Sequence, residues 1–532
     1  MIKINGCNAD LDIRTAYYPL SAKMDQLPVF IEMIVTIEGW TDTILLPIKQ
    51  FNLKGITKKC PLLHFRSKKS YPSFDEVLTS NFIQGLNHGK IQRGYYLENS
   101  GSIIFPDGHV CFLRGSELIG SCNRPYMLTP EIDSIELMGK DTSLSQFLPL
   151  LLSSPPQVLL VFSYVVLSSI RSLLVENGID LQAVLYIVGG QGLGKTTLAT
   201  RVAGIYKKDG KQTGIIQAGS TLAAVNTILL HSRDQPVLVD DLCLSASKDT
   251  ARKRIDLASL LIRQCTSTLS ITKKSGNATV EYPCGAGLIM TAEFHLENLS
   301  DLTRCLIVPI YNPLNIPDEI TPDLIGAAIR YYSHWFIDHS YEEIAHFHEA
   351  IKAQDDSATE ARMFTNYTCL RSAFLSFIRS LNNLNSCSHQ MISQILRMMD
   401  SALSDAQQCH QNMIMNIKRK FPVGNLAYCI YQGYLNNAFD LCEKPHRLKD
   451  HEGMIKKNDL CLRPEKLIQF VRNQSGYQEW KAIQITRELK DIGALVIEET
   501  GSSTVHIGQK KDHAPRVYRI RLNVLKEHAE KY

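Results

Sequence analysis

A glycine-rich segment followed by lysine and threonine is the part of the sequence best suited to chemistry. Residues 189–197 read GGQGLGKTT, in which the pattern Gly-x4-Gly-Lys-Thr runs from Gly189 to Thr196. Glycines let successive backbone N–H groups turn inward toward phosphate oxygens, and a following helix adds its positive N-terminal end. We therefore predict a nucleotide-binding loop that consists of Gly189, Gly190, Gln191, Gly192, Leu193, Gly194, Lys195, Thr196 and Thr197.

The residues on either side of this loop favour the same interpretation over an ordinary glycine turn. Residues 184–188 form a short apolar run typical of a buried strand, and residues 198–206 have the composition of a helix. In a strand, loop and helix of this kind, the Lys195 side chain reaches the β- and γ-phosphates and the Thr196 hydroxyl binds magnesium. We expect ATP and Mg²⁺ as ligands.

Two adjacent carboxylates follow a second apolar run, 45 residues beyond Lys195. Asp240 and Asp241 come directly after residues 237–239, which read as another buried strand. Asp240 is predicted to hold the magnesium, and Asp241 to orient the attacking water. Many related sites carry glutamate at the second position, and aspartate is one methylene shorter. A solvated turn is the structural alternative for such a pair.

A third short strand, residues 287–290, ends in polar residues. Thr291 stands where such ATPases place a residue that senses the γ-phosphate, and Glu293 could supplement Asp241. Arg304 follows thirteen residues after Thr291, where ring-forming ATPases supply an arginine to the nucleotide of the neighbouring subunit. An isolated arginine before a strand is ordinarily a surface charge, so both interpretations of Arg304 stay open.

The elements that position these residues change in character along the chain. Residues 1–150 alternate apolar and polar positions over short runs such as 29–37 and 102–113, which predicts a β-rich domain. Strands and helices alternate in an ATPase core over 151–335, and a helical domain or linker over 336–450 is most regular from about residue 341.

The last region, residues 451–532, reads as helix, helix, strand, loop and strand. Its predicted helices are residues 464–472 and 482–492, and its predicted strands are residues 494–498, 504–507 and 516–522. This order predicts a winged helix. The region carries 15 Lys and Arg against 11 Asp and Glu, so its surplus equals the net charge of +4 of the whole chain. Nucleic acid is therefore expected first at this basic end.

The apolar stretches and the cysteines of the sequence indicate where the protein is located. The N-terminal residues lack the apolar core of a secretory signal, and the most apolar stretch, residues 158–170, is shorter than the roughly 20 residues that a membrane span needs. That stretch indicates a buried helix. The 14 cysteines include no CxxC pair, which favours reduced, mostly buried thiols over a zinc site. We expect a cytoplasmic protein with no membrane partner.

Basic residues outside the nucleotide motifs are candidates for DNA contacts. Residues 270–282 read as a hairpin that carries Lys273 and Lys274, which a ring helicase would point into its channel; a solvated lysine turn is the alternative. Winged helices bind DNA or dock proteins, and we favour DNA. The candidate contacts in that region are Lys481, Arg487, Lys510, Lys511 and Arg516.

The order of the four nucleotide motifs resembles the additional-strand P-loop ATPases, which include superfamily 3 helicases and RecA-like motors. Within that group the chain is similar to helicase-like ATPases that phages and integrative elements carry beside primases, a family long catalogued as a domain of unknown function. Three segments carry this likeness, residues 94–119, 302–310 and 481–496. The implied fold is multidomain α/β, with a central RecA- or AAA-like sheet.

The resemblance implies ATP-driven work on single-stranded or forked DNA during mobile-element replication. It also implies a homo-oligomer, as a hexameric ring, with a primase or other replication proteins as further partners. A regulatory ATPase switch, in which the nucleotide controls assembly, is the alternative function. A small-molecule kinase is disfavoured, because the sequence has no arginine-rich lid near the site.

Overall fold

The computed structural model of this 532-residue chain describes residues 2–3, 9–20, 27–37, 39–63, 71–243, 248–266, 271–275, 278–282, 284–296, 298–353, 361–381, 388–420, 425–448, 450–474, 477, 480–498, 502–507 and 516–529. The chain divides into two compact units, Met1–Leu296 with Ser300–His410, and Glu297–Leu299 with Gln411–Tyr532. The three boundaries between the four domains drawn from the sequence stay a prediction.

The N-terminal part of the first unit is rich in strands, as its alternating sequence predicts. In chain order its elements are β1 (Ile2–Lys3), β2 (Ala9–Pro19), β3 (Phe30–Ile37), β4 (Trp40–Pro47), α1 (Leu53–Lys59), α2 (Tyr71–Asn87), β5 (Gln92–Leu97), β6 (Gly101–Ile104), β7 (Val110–Arg114), β8 (Glu117–Ile119), β9 (Tyr126–Leu128), α3 (Pro130–Asp133) and β10 (Ile135–Leu137). Strands β4, β3, β2, β5 and β9 lie side by side in that order, with β1 paired to β2. Every second residue of β3 is buried, because successive side chains of a strand point to opposite faces.

A second, smaller sheet in this part consists of β6, β7 and β8. The alternating run 102–113 contributes to two of these strands, and Pro106-Asp107-Gly108, a turn signal in the sequence, turns the chain between β6 and β7. Gly108 has a φ of +87°, and its N–H donates to the carbonyl of Phe105 at 2.8 Å. A left-handed backbone at this turn favours glycine.

The middle of the chain forms the sheet that positions the nucleotide motifs. Its elements are α4 (Phe147–Ser153), α5 (Pro156–Ser169), α6 (Arg171–Glu176), β11 (Val184–Gly189), α7 (Lys195–Ala203), β12 (Tyr206–Lys208), β13 (Lys211–Gln212), β14 (Ile215–Gln217), α8 (Leu222–His231), β15 (Pro236–Leu242), α9 (Lys248–Thr266), β16 (Ile271–Ser275), β17 (Ala278–Tyr282), β18 (Gly287–Ala292), α10 (Leu299–Leu302) and β19 (Cys305–Ile310). Five parallel strands lie in the order β14, β15, β18, β11 and β19.

Two features show how this sheet is packed. Strands β11 and β19 are almost wholly buried, as expected for a parallel sheet covered by helices on its faces. Helix α5 is buried from Val158 to Ser169, which confirms a buried helix over the most apolar run of the sequence. A helix that is apolar all round has to lie inside the protein, and α5 contacts α7 and strands of the sheet.

Three long helices complete the first unit, and the last of them continues into the second. They are α11 (Pro322–Lys352), α12 (Ala361–Leu381) and α13 (His389–Lys420). Helical structure begins at Pro322, about twenty residues earlier than the regular helical spacing of the sequence predicts. The Thr321 hydroxyl caps α11 by accepting the N–H of Leu324, and proline occupies the first helical position.

The second unit has its own hydrophobic core, built around residues such as Trp480, Leu489 and Ile520. Its remaining elements are α14 (Asn425–Leu435), β20 (Leu441–Cys442), β21 (Gly453–Lys456), β22 (Asp459–Leu462), α15 (Pro464–Arg472), α16 (Ala482–Asp491), β23 (Val505–His506), β24 (Arg516–Arg521) and α17 (Leu522–Ala529). Both predicted helices are present. The strand predicted over 494–498 is wrong, because only Leu495 bridges to Ile520 there.

Two further findings concern the bulk properties. No helix within the described ranges combines the length and apolar character that a membrane span requires. The 12 cysteines of the described part are free thiols, and seven of them are buried.

Candidate nucleotide-binding site

The glycine-rich loop lies at the carboxyl edge of the parallel sheet. It begins where β11 ends at Gly189 and leads into α7, which starts at Lys195. Gly192 and Gly194 have φ values of +77° and +88°, which side chains other than glycine rarely adopt. No side chain of the described residues caps α7, so the first N–H groups of the helix stay available for an anion.

Lys195 is folded back onto this loop. Its Nζ donates hydrogen bonds to the carbonyl oxygens of Gly189 at 2.9 Å and Gly190 at 2.6 Å, and the residue is only 9% exposed. A lysine ammonium group has three donors, so these carbonyls use two of them. Phosphate oxygens are the stronger, charged acceptors, and a bound triphosphate would compete for the same ammonium group.

Asp240 is the centre of a small group of oxygen atoms. Its Oδ1 accepts hydrogen bonds from the hydroxyl of Thr196 at 2.9 Å and from the hydroxyl of Thr291 at 2.5 Å. Three different elements, α7, β15 and β18, thus meet at one carboxylate. Magnesium prefers oxygen ligands and is usually held by one or two carboxylates together with substrate phosphates, so Thr196 and Asp240 fit this ion chemically.

Asp241 is exposed whereas its neighbour Asp240 is buried, and the strand is irregular at this point. The pairing of β15 with β18 breaks between Val239 and Leu242, and Asp241 has a φ of +65°. Its N–H donates to the Thr291 hydroxyl at 3.0 Å, while its side chain is exposed. Strained backbone that the surroundings hold in place is common at functional sites.

A cleft of about 330 Å³ lies above these residues. Glu293 follows β18 at its rim, and the N–H of Glu293 donates to the carbonyl of Leu242 at 3.0 Å. The hydroxyl of buried Tyr186 donates to the Phe294 carbonyl at 2.8 Å, and burial raises the pKa of Tyr186 well above its usual value, which keeps this donor protonated. The cleft is lined by Gln191, Gly192, Leu193, Gly194, Lys195, Thr196, Thr197, Asp241, Leu242, Thr291, Ala292 and Glu293.

The segment after β19 supports the loop, and the sequence did not reveal this role. The N–H of Leu314 donates to the carbonyl of Leu193 at 3.2 Å, and Leu314 lies over Gly194. Arg201 of α7 donates to the carbonyls of Ile316 and Pro317 and forms an ion pair with Asp318 at 2.9 Å. A single arginine in a helix carries no sequence signal for such contacts.

Arg304 does not lie in the cleft of its own chain. It directly precedes β19, and its carbonyl accepts the N–H of Val184 at the start of β11. Both strands run parallel, with Gly189 opposite Ile310 at the other end. Six residues of strand separate the two edges, which is roughly 20 Å at about 3.3 Å per residue.

The predicted DNA contacts lie on other elements. Lys273 and Lys274 occupy β16, opposite Val280 and Thr279 of β17, so the described backbone forms the predicted hairpin. Lys481 precedes α16, Arg487 lies on α16 with 82% exposure, and Arg516 begins β24. Lys510 and Lys511 lie outside the described residues.

Among the described residues, no three His, Cys, Asp or Glu side chains are grouped so as to hold a metal ion. The oxygen set at Thr196 and Asp240 is of another kind, because it contains one carboxylate and depends on phosphate oxygens for the remaining ligands.

Comparison with known proteins places the fold. No protein family model matches the chain, and no curated protein matches it. A solved structure of SCCmec type IV Cch, described as an active helicase, is similar with a TM-score of 0.52 and 13% sequence identity, over 97% of this chain and 94% of that one. A structure of JCV helicase with a bound small molecule aligns over 49% of this chain and 65% of that one at 12% identity, with a TM-score of 0.19. The chain thus has a mixed α/β, multidomain fold like that of the first helicase.

Proposed function

We propose that this chain is an ATP-hydrolysing motor that acts on DNA, as a replicative helicase or translocase of a phage or mobile element. The observation that carries the proposal is the meeting of Thr196, Asp240 and Thr291 beneath the glycine-rich loop. The similarity in fold to the helicase SCCmec type IV Cch over almost the whole chain supports it.

In the proposed mechanism the loop holds the triphosphate and α7 contributes its N-terminal N–H groups. Lys195 leaves the carbonyls of Gly189 and Gly190 and contacts the β- and γ-phosphates. Thr196 and Asp240 would hold Mg²⁺, and the bound ion would supply positive charge for the phosphate oxygens.

The attacking water is oriented from the rim of the cleft. Asp241 is the first candidate for this role, and Glu293 is a supplementary one, since both line the cleft with exposed carboxylates. Thr291 links Asp240 to the Asp241 backbone through one hydroxyl, so it fixes the two acids relative to each other. We assign Thr291 the sensing of the γ-phosphate.

DNA is proposed to contact two sets of basic residues. The hairpin of β16 and β17 carries Lys273 and Lys274, which would hold phosphates without reading bases. The segment from β22 to β24 has the element order of a winged helix, with Lys481, Arg487 and Arg516 as backbone contacts.

Assembly into a homo-oligomer, which we propose is a hexamer, would complete the site. Arg304 lies at the sheet edge opposite its own cleft, so it can stabilise transition-state charge only in a neighbouring copy. Primase or other replication proteins are the further partners that fit this function.

Steady-state ATP hydrolysis with and without single-stranded DNA tests the proposal. The parent chain should hydrolyse ATP with Mg²⁺ and turn over faster with DNA, and Lys195→Ala should abolish turnover. Arg304→Ala should lower it by roughly a hundredfold or more while nucleotide binding is kept, as expected for a transition-state arginine.

Two other outcomes would count against a DNA motor. Turnover that needs Lys195 but ignores both DNA and Arg304 would replace the DNA motor with a regulatory switch controlled by nucleotide. Lack of turnover in the parent chain under all of these conditions would contradict the proposal altogether.

A further inference from the structure

The amino edge of the parallel sheet carries an arginine that is poorly matched by partners. Arg304 donates through Nη1 to the carbonyl and hydroxyl oxygens of Ser300. Its Nε is buried and has no hydrogen-bond partner among the described residues. A buried donor without an acceptor costs free energy, about 1 to 3 kcal/mol in typical proteins. A guanidinium that turned toward an incoming acceptor at this edge would no longer carry that cost.

A second arginine is brought to the same edge by α12. The N–H of Ile307 in β19 donates to the Tyr367 hydroxyl at 3.1 Å, and Asn366 donates to the carbonyl of Gln182 at 2.7 Å, just before β11. These bonds fix the first turns of α12 beside the first residues of the two strands. Arg362 lies one helical turn before Asn366 and is exposed.

The two arginines are close enough to influence each other. Burial lowers the pKa of Arg304, and the positive charge of Arg362 lowers it further. In the described part of the chain, Arg362 has no hydrogen bond or ion pair. Two cations held near each other, with no anion shared between them among the described residues, are suited to binding an incoming anion.

Asp301, the carboxylate that acts on Arg304 in the described part of the chain, does not serve as that anion. Asp301 is 1% exposed and forms an ion pair with Arg263, with Nε and Oδ1 2.7 Å apart. Ser259 also donates to the Asp301 carboxylate, while the N–H of Arg304 donates to the Asp301 carbonyl at 3.1 Å. Asp301 therefore fixes the turn before Arg304, and its charge is matched largely by Arg263.

We infer that Arg304 and Arg362 together bind the triphosphate held by a second copy of this chain, with Arg362 as an additional catalytic cation. This inference rests on the proposed ATPase function. The partner is argued from charge and position: a magnesium-bound triphosphate is anionic, guanidinium groups bind phosphate in a bidentate manner, and the cleft of the same chain lies at the opposite edge.

Arg362→Ala and Arg362→Lys are the test variants, and Arg371→Ala is the matched control. Arg371 lies on the same helix, is half-exposed, and forms an ion pair with Asp400 at 2.8 Å. We expect Arg362→Ala to lower ATP turnover about tenfold or more while the binding of a fluorescent ATP analogue stays unchanged. Arg362→Lys should recover part of the lost turnover. Arg371→Ala should turn over ATP as fast as the parent chain.

Mixing of subunits then decides whether the arginine acts across copies. Lys195→Ala chains have a defective cleft but a normal amino edge. Arg362→Ala chains have a normal cleft but a defective amino edge. Equal mixtures should turn over ATP faster than the sum of the two proteins alone. Mixtures of Arg362→Ala with the double variant Lys195→Ala/Arg362→Ala should show no recovery, because no normal edge is present.

The possible failures are distinguishable. If the parent shows Lys195-dependent turnover and Arg362→Ala behaves like Arg371→Ala, the inference is overturned and the proposed function stands. Slow turnover that mixing does not restore, or a loss confined to DNA binding, also overturns it, since either result places Arg362 elsewhere in the mechanism. A parent chain without turnover removes the proposed function and the inference together.

Discussion

At the scale of single residues, the hydroxyl of Thr291 determines the geometry of both acids. It donates to Asp240 and accepts from the N–H of Asp241, so one oxygen atom joins two strands at the edge of the sheet. The two acids differ from each other in environment, since Asp240 is 5% exposed and Asp241 is open to solvent. This difference suits a metal-binding role for the first and a water-orienting role for the second.

Thr291→Val should lower the turnover of ATP by roughly tenfold or more, because it removes a preorganised contact while keeping the shape of the side chain. Nucleotide affinity should change little, since the loop residues are untouched. Thr227→Val in α8 is the control: among the described residues its hydroxyl bonds only to the Ala223 carbonyl, one turn earlier in the same helix. Equal turnover in both variants would contradict the role given to Thr291.

Asp241→Asn should lower turnover more than Glu293→Gln. Asparagine tolerates the left-handed backbone of this position, so the substitution removes the carboxylate charge without added strain. Single-turnover hydrolysis at saturating ATP measures the effect. A larger loss in Glu293→Gln would transfer the water-orienting role to Glu293.

The sequence predicts the types and spacing of the residues in the cleft but not their local geometry. Glycine spacing and paired acids after apolar runs are local signals, and the structure brings those residues together. The positive φ of Asp241 and the support of the loop by Leu314 depend on contacts between distant segments. Such contacts leave no pattern in a single sequence.

At the scale of elements, apolar runs and helical spacing located most of the predicted elements, whereas one short alternating run did not form a strand. Helices α15 and α16 lie where their apolar spacing places them. Residues 494–498 alternate like a strand, yet only Leu495 forms a bridge. The start of α11 had a usable signal, because Thr321 followed by Pro322 is a typical helix N-terminus.

One contact between helices gives a dependence of stability on pH. His410 of α13 is buried, and its Nε2 lies 3.0 Å from the carbonyl of Leu302 at the end of α10. Burial lowers the pKa of His410 to about 4, although the Leu302 carbonyl opposes this shift. The unfolded chain, with a histidine pKa of about 6.5, therefore binds the proton more readily than the folded one.

Stability should consequently be lost as the pH falls from about 6.5 toward 4, with about 2 kcal/mol lost by pH 5 through this group. Urea unfolding at pH 7.5 and pH 5.0 measures the effect in the parent and in His410→Gln. The variant should be less stable at pH 7.5 but should lose less free energy on acidification. Identical losses in the two proteins would refute the assignment.

The hairpin of β16 and β17 gives a prediction about DNA. Replacing Lys273 and Lys274 by alanine should weaken binding to single-stranded DNA of any sequence. It should also make the slope of log K against log salt concentration less steep, by roughly 0.7 for each phosphate that is no longer bound. Lys207→Ala/Lys208→Ala on β12 is the control, because Lys207 is paired with Glu136 at 3.1 Å. A salt slope unchanged by the hairpin variant would leave that hairpin as a solvated turn.

At the scale of the whole molecule, the two edges of the parallel sheet have complementary chemistry. The carboxyl edge holds the glycine-rich loop and the acids, whereas the amino edge holds Arg304. A single copy cannot bring these edges together, because they are ends of the same strands. We therefore expect hydrolysis to depend on protein concentration. Under the proposed function, hydrolysis is also coupled to movement along DNA.

Displacement of streptavidin from biotinylated single-stranded DNA tests the proposed movement, since it detects translocation whether or not a duplex is opened. We expect the parent chain to displace streptavidin from one end of the strand in the presence of ATP and Mg²⁺, and Lys195→Ala to leave it bound. Lys195-dependent ATP turnover with no displacement from either end would contradict a DNA motor.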